Sequence, residues 1–258
     1  MEQNLNMVSA IQMYEKPELN NPVLIEGLPG IGFVANIAAL HLIQELNAKL
    51  FAEIRLSSFQ DIAITAEEGK IRFPTNEFYF HKGRSSEERD LIILYGNTQA
   101  LTTVGQYELC GRILDLAKDF GCQHVITLGG FRREEKITTP KLFCAASDAE
   151  TLKEALDMGA EIMEGQIFGV AGLLVGLSKL WNIKGLCLLG ETPGFYPDAA
   201  ASREVLKAVS KMLHLNIDTD RLDKAVESTQ QILGAFGISE PKKEEKPAEE
   251  DKSHRWHI

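Results

Sequence analysis

Residues 22–38, PVLIEGLPGIGFVANIA, constrain the fold more than any other stretch. Val23, Leu24 and Ile25 form a short apolar run of the kind buried in a sheet. The glycines of Gly27-Leu28-Pro29-Gly30-Ile31-Gly32 then make a turn, and an apolar segment at helical spacing follows. Strand, glycine turn and helix in that order is the layout of phosphate-binding loops, where free amides at a helix start hold an anion. The residues complete neither known form. The dinucleotide fingerprint sets glycines at the first, third and sixth places, whereas GLPGIG has them at the first, fourth and sixth. The ATP-type loop requires Gly-Lys-Ser/Thr at the helix start, and here Gly32 is followed by Phe33 and Val34. What remains is a tight turn in which glycine lets strand and helix pack closely, with the amides near Gly30 able to hold a small anion.

Residues 1–21 read as an irregular lead-in, and residues 31–46 keep a helical period with two apolar faces. Segments 50–55, 62–65, 70–73 and 77–81 resemble an antiparallel meander, and DLIILY at 90–95 is apolar enough for a strand buried on both faces. A helix over 101–120 closed by Gly121 and a strand over 123–128 with Gly129-Gly130 as its turn come next, followed by a strand over 141–146. Ser147 with Glu150 makes a capping box that opens a helix through 156. In GQIFGVAGLLVG, Gly165, Gly169, Gly172 and Gly176 recur every three or four residues. On a helix they share one face, which allows close approach by another element, such as a second subunit. A strand over 184–189 leads into the two-proline loop 191–198. Asp198 caps a helix over 199–213, and Asp218 or Thr219 caps a last one reaching about 236. Alternating strands and helices after residue 90 imply an α/β fold with a largely parallel sheet, helices on both faces and added antiparallel strands.

The expected organisation is one α/β domain over 1–237 and a flexible charged tail over 238–258. Residues 238–252 hold six acids and four lysines with almost nothing apolar. The chain then closes on Ser253-His254-Arg255-Trp256-His257-Ile258, whose aromatic and aliphatic residues fit a peptide that docks in a partner's pocket.

A net charge of −10 without a basic block argues against nucleic acid and anionic membranes as partners. Cys110, Cys122, Cys144 and Cys187 form no CxxC pair and fit buried thiols of a reducing compartment. The start lacks signal-peptide character, and no apolar run reaches the ~18 residues of a span, so a cytoplasmic protein is expected. Neither Gly-x-Ser-x-Gly nor HExxH occurs, and the histidines are dispersed, so no catalytic residue, metal or cofactor is assigned. The best polar cluster is Glu191-Thr192-Pro193, after an apolar strand where open α/β sheets gather ligands. Glu191 there is a candidate general base with Asp198 or Glu164 as second acid, or else a carboxylate that accepts turn amides. Asn97 and Gln99 form a similar patch, and Arg132 and Arg133 could hold an anion.

Together, Gly27–Gly32, Gly96-Asn97-Thr98-Gln99, Gly129-Gly130, GQIFGVAGLLVG and Glu191-Thr192-Pro193-Gly194 through Ala201 resemble the family of the second proteasome assembly chaperone, in its archaeal, ATP-independent branch. The resemblance spans roughly residues 22 to 237. It implies a three-layer α/β/α sandwich with a mixed sheet, similar to the purine nucleoside phosphorylase fold, that assembles as a homo-oligomer and has no established catalytic residue. It also implies a C-terminal hydrophobic, tyrosine, any-residue tripeptide that inserts between proteasome α-subunits. Trp256 and Ile258 fit that pattern, and His257 stands where tyrosine is expected. The implied function is a non-enzymatic chaperone of α-ring assembly. The alternative is a small-molecule enzyme of nucleoside phosphorylase or hydrolase type, with Glu191 and Asn97 at the sheet edge.

Overall fold

The computed structural model describes residues 9–65, 69–85, 87–133, 137 and 139–225. Its main sheet has nine strands in the order β1-β3-β6-β7-β2-β8-β11-β9-β10: β1 (Ser9–Met13), β3 (Lys49–Leu56), β6 (Asn76–His81), β7 (Leu91–Gly96), β2 (Val23–Gly27), β8 (His124–Arg132), β11 (Lys184–Thr192), β9 (Leu142–Ala146) and β10 (Glu161–Ile162). The four central strands, β7, β2, β8 and β11, are parallel. The flanking pairs β6/β7, β3/β6, β1/β3 and β11/β9 are antiparallel. A separate ribbon of β4 (Ile64–Thr65) and β5 (Ile71–Arg72) hangs beside the sheet, so the expected meander is split between two sheets.

Period-two alternation divides the central strands between two cores. Val23, Ile25, Leu91, Ile93, Ile126 and Leu186 face α1 (Val34–Leu46), α3 (Ala149–Asp157) and α5 (Ala199–Met212). Leu24, Ile92, Leu94 and Val125 face α2 (Thr103–Asp119) and α4 (Val170–Ser178). The result is an α/β fold, a mixed sheet between two helical layers.

The structure corrects several readings. Part of the lead-in is an edge strand, β1, paired to β3 from Ser9↔Leu56 to Met13↔Ala52. Its residues are half-buried or exposed, which leaves a weak apolar pattern. Strands β8 and β11 run four and three residues further than expected, because the ladder continues through Gly129↔Leu189, Gly130↔Gly190 and Thr192↔Arg132. Gly129-Gly130 is therefore strand, and Glu191 and Thr192 close a strand instead of opening a loop. Asp148, not Ser147, caps α3 by accepting from the Thr151 amide at 3.0 Å. Ser147 Oγ is used elsewhere, accepting from the Gly185 amide at 2.8 Å. Asp198 caps α5 as expected, accepting from Ala201 N–H.

The glycine stretch departs most from expectation. Gly165 and Gly169 have φ of 113° and 78° and stand before α4, so only Gly172 and Gly176 lie on the helix. The four do not share a helical face, because a left-handed residue at 169 stops the helix from extending backwards.

All four cysteines are buried and free. Burial pushes the thiols of Cys110, Cys122 and Cys187 up to about 12, which keeps them protonated and inert.

Candidate functional site

The carboxyl ends of β7, β2, β8 and β11 come together at one edge of the sheet, and the loop over 27–32 is its hub. Gly27 ends β2 against α1. A Cβ there would overlap that of Ala39 and lie 2.9 Å from the Ala35 carbonyl, so the expected close approach of strand and helix is present. Asn36 of α1 ties the two neighbouring strand ends together, donating to the Gly96 carbonyl at 2.8 Å and to that of Gly27 at 3.4 Å. The turn completes itself with Gly32 and Phe33 in the left-handed region.

The other glycine stretches meet this loop. Gln99 Nε2 donates to the Pro29 carbonyl at 2.7 Å, and its Oε1 accepts from Val170 N–H at the start of α4 at 3.1 Å. A Cβ on Gly130 would overlap the Ile31 carbonyl oxygen. From the far side, Asp198 N–H donates to the Gly32 carbonyl at 2.9 Å, and Thr192 Oγ1 donates to the Asp198 carboxylate at 2.7 Å. Stretches more than a hundred residues apart in sequence thus form one hydrogen-bonded cluster.

This arrangement leaves the candidate polar residues committed to the fold. Asn97 Oδ1 accepts from the Thr75 amide at 3.2 Å. Glu191 is buried, accepts from the Lys141 amide at 3.1 Å and pairs with Arg133 at 3.2 Å. It holds loop backbone, which is the structural of its two readings. Gly30, Asn97, Gln99 and Glu191 share the edge without converging: cavities of about 470 and 300 Å³ open elsewhere and are lined by none of them. Glu164 is exposed. Arg132 stacks on the Phe195 ring, its guanidinium 4.3 Å from the centroid. Among the described residues no cluster of three or more His, Cys, Asp or Glu could hold a metal, and no helix is long and apolar enough to cross a membrane. Trp256, His257 and Ile258 lie outside the described residues.

Two features of the edge went unread in the sequence. The first is Glu26, a carboxyl inside the apolar run VLIEG and 1% exposed. Its Oε1 accepts from Leu28 N–H at 2.9 Å, beneath the hub loop. Burial raises it to about 8, against the opposing pull of the Leu28 and Leu128 amides. The lone acid among Val23, Leu24 and Ile25 was the available signal. The second is an apolar rim. Phe168 is 80% exposed and Val104 78%, with Leu101, Phe195, Phe33 and Ile31 also exposed at the ends of strands or starts of helices on this edge. Large apolar side chains gathered around polar groups that mostly bond to backbone suit a protein surface better than a reaction chamber, although Glu26 Oε2 beneath them has no hydrogen-bond partner among the described residues.

Comparisons with known proteins place these observations. A profile of the PAC2 family matches residues 24–235. An uncharacterized protein of Methanocaldococcus jannaschii is 35% identical over 217 residues, 83% of each chain. The structure of Pyrococcus furiosus PbaB, described as an archaeal proteasome activator, has 38% identity and a TM-score of 0.85, covering 90% of this chain and 99% of that one. Pyrococcus furiosus PbaA, described as an archaeal homolog of proteasome-assembly chaperone, has 28% identity and a TM-score of 0.74, covering 88% and 92%.

Proposed function

The chain belongs to the PAC2 family, and from that premise we propose that it is a proteasome assembly chaperone. In this reading a cytoplasmic homo-oligomer, working without ATP, binds proteasome α-subunits through its C-terminal tails and promotes ring assembly. The likeness to PbaB and PbaA over nearly nine-tenths of the chain carries the proposal, since both are described by their relation to the proteasome. A folded domain over 1–237 would present Trp256, His257 and Ile258 on a charged tether over 238–255. Several weak peptides on one oligomer bind firmly through effective concentration. The apolar rim supports self-association, because monomers rarely leave such residues uncovered. Gly176 has open space beside it on α4 and could admit a close neighbour, whereas Gly172 is filled from within by Ile167 and Gly165 has only the tip of Met163 near it.

The greater likeness to the activator favours a second reading, in which the tails engage finished proteasomes. Sedimentation velocity of the full chain with free α-subunits, and separately with assembled rings, tests both. An oligomer that co-migrates with free α-subunits is expected, and co-migration with rings alone would favour the activator. An oligomer that sediments by itself in both arms contradicts a proteasome function. In the same assay His257→Tyr is expected to tighten binding several-fold by supplying the phenol of the family's peptide, and weaker binding would count against docking by that tripeptide.

A further inference from the structure

The cavity of about 470 Å³ lies at the opposite, amino edge of the parallel strands, where β2, β8 and β11 begin. Its volume falls within the roughly 300–1,000 Å³ of small-molecule sites. Val23, Ile126, Leu186 and Leu213 give it an apolar floor, and all four are buried. Around them stand Arg89, His124, Lys184 and His214, faced by two carboxylates, Glu87 and Glu154.

The cations are not used up by the fold. Arg89 is half-buried, yet among the described residues it makes no ion pair, only a 3.3 Å hydrogen bond to the Asn21 carbonyl. Lys184 pairs with Glu150 at 2.7 Å, but the two side chains are 43% and 72% exposed, and such a pair contributes little. Neither the His124 nor the His214 imidazole has a hydrogen-bond partner among the described residues. His214 follows α5 with φ of 54°, a left-handed position that glycine or asparagine usually fills, and the residue, itself exposed, lines the cavity. His124 is held below its ordinary value, first by burial and then by Arg89 and Lys184. Glu154 and Asp148 oppose this less. Arg89 and Lys184 therefore both act on the imidazole from within the cavity lining.

We propose that this cavity binds a small organic anion, with Arg89, Lys184 and His124 on its charged group and the Val23, Ile126, Leu186 and Leu213 floor on an apolar body. A carboxylate and a phosphate monoester share that chemistry. Arg89 offers either a planar fork, and Lys184 a point charge. Glu87 and Glu154 at the wall select against a bulky polyanion. The site lies away from the glycine-loop edge and is independent of the proteasome reading.

Calorimetry of the full chain with hexanoate, hexyl phosphate and inorganic phosphate tests the site, alongside an NMR titration of His124. Hexanoate or hexyl phosphate is expected to bind at least ~10-fold more tightly than inorganic phosphate, and whichever binds more tightly identifies the charged group. Bound anion should raise the His124 titration midpoint. Arg89→Ala should weaken binding ~10-fold or more, and Arg89→Lys should recover part of it. Equal affinity for hexyl phosphate and inorganic phosphate overturns the apolar half of the assignment. Absent binding of all three probes, an unmoved His124, or full binding in Arg89→Ala overturns the whole.

Discussion

Gly27→Val lowers the thermal midpoint by about 6–12 °C. The added side chain has nowhere to go: its Cβ would overlap Ala39 Cβ and press on the Ala35 carbonyl, both on a helix already packed against the central strand. Forcing atoms into a filled core costs roughly 3 kcal/mol at the upper end of such changes. In a chain of this size each kcal/mol moves the midpoint by about 2–4 °C. Gly30→Ala is the control, since that glycine is extended and has nothing within 4 Å of a built Cβ. It should leave the midpoint within about 2 °C. Melting curves followed by circular dichroism read both variants, and an unchanged midpoint for Gly27→Val would contradict the close strand and helix approach.

The second large effect depends on pH and comes from Glu26. Its carboxyl titrates near 4.5 in the unfolded chain and is raised to about 8 in the folded one, chiefly by burial. Between those values the unfolded chain has lost the proton and the folded chain keeps it, so folding takes up a proton. The stability that Glu26 contributes is therefore greatest below pH 4.5, falls as pH rises, and levels off above 8. The slope reaches up to about 1.4 kcal/mol per pH unit. Glu26→Gln keeps an oxygen for the Leu28 amide but never ionises. It should match the parent near pH 4.5 and exceed it by a few kcal/mol at pH 9, measured by urea unfolding at each pH. A parent and variant that track each other across that range would show that Glu26 is not held neutral.

The fold was readable wherever burial leaves a strong local pattern. VLI and DLIILY announce strands covered on both faces, and Asp198 announces a helix start because the cap is a local bond to Ala201. Elements decided by distant pairing were not readable. β1 is an edge strand whose partner lies about forty residues away, and Gly129-Gly130 looks like a turn until β11 extends alongside it. Gly169 fits a helix by spacing, but the Gln99 amide occupies the amide of Val170, and that bond joins positions seventy-one apart. At the carboxyl edge the sequence motifs identified the right stretches without revealing their use. Asn97, Gln99 and Glu191 were candidates for chemistry, and each is bound to a neighbouring backbone. Exposure of Phe168, Val104 and Phe195 depends on which helices cover the sheet edge, which no local pattern encodes.

Affinity for proteasome α-rings, measured by surface plasmon resonance on the full chain and on the chain lacking residues 255–258, bears most directly on tail docking. The truncated chain should keep its oligomeric mass and melting curve. It should lose α-ring affinity by ~100-fold or more, because the loss applies to every tail of the oligomer at once. Undiminished binding by the truncated chain would contradict docking through Trp256, His257 and Ile258.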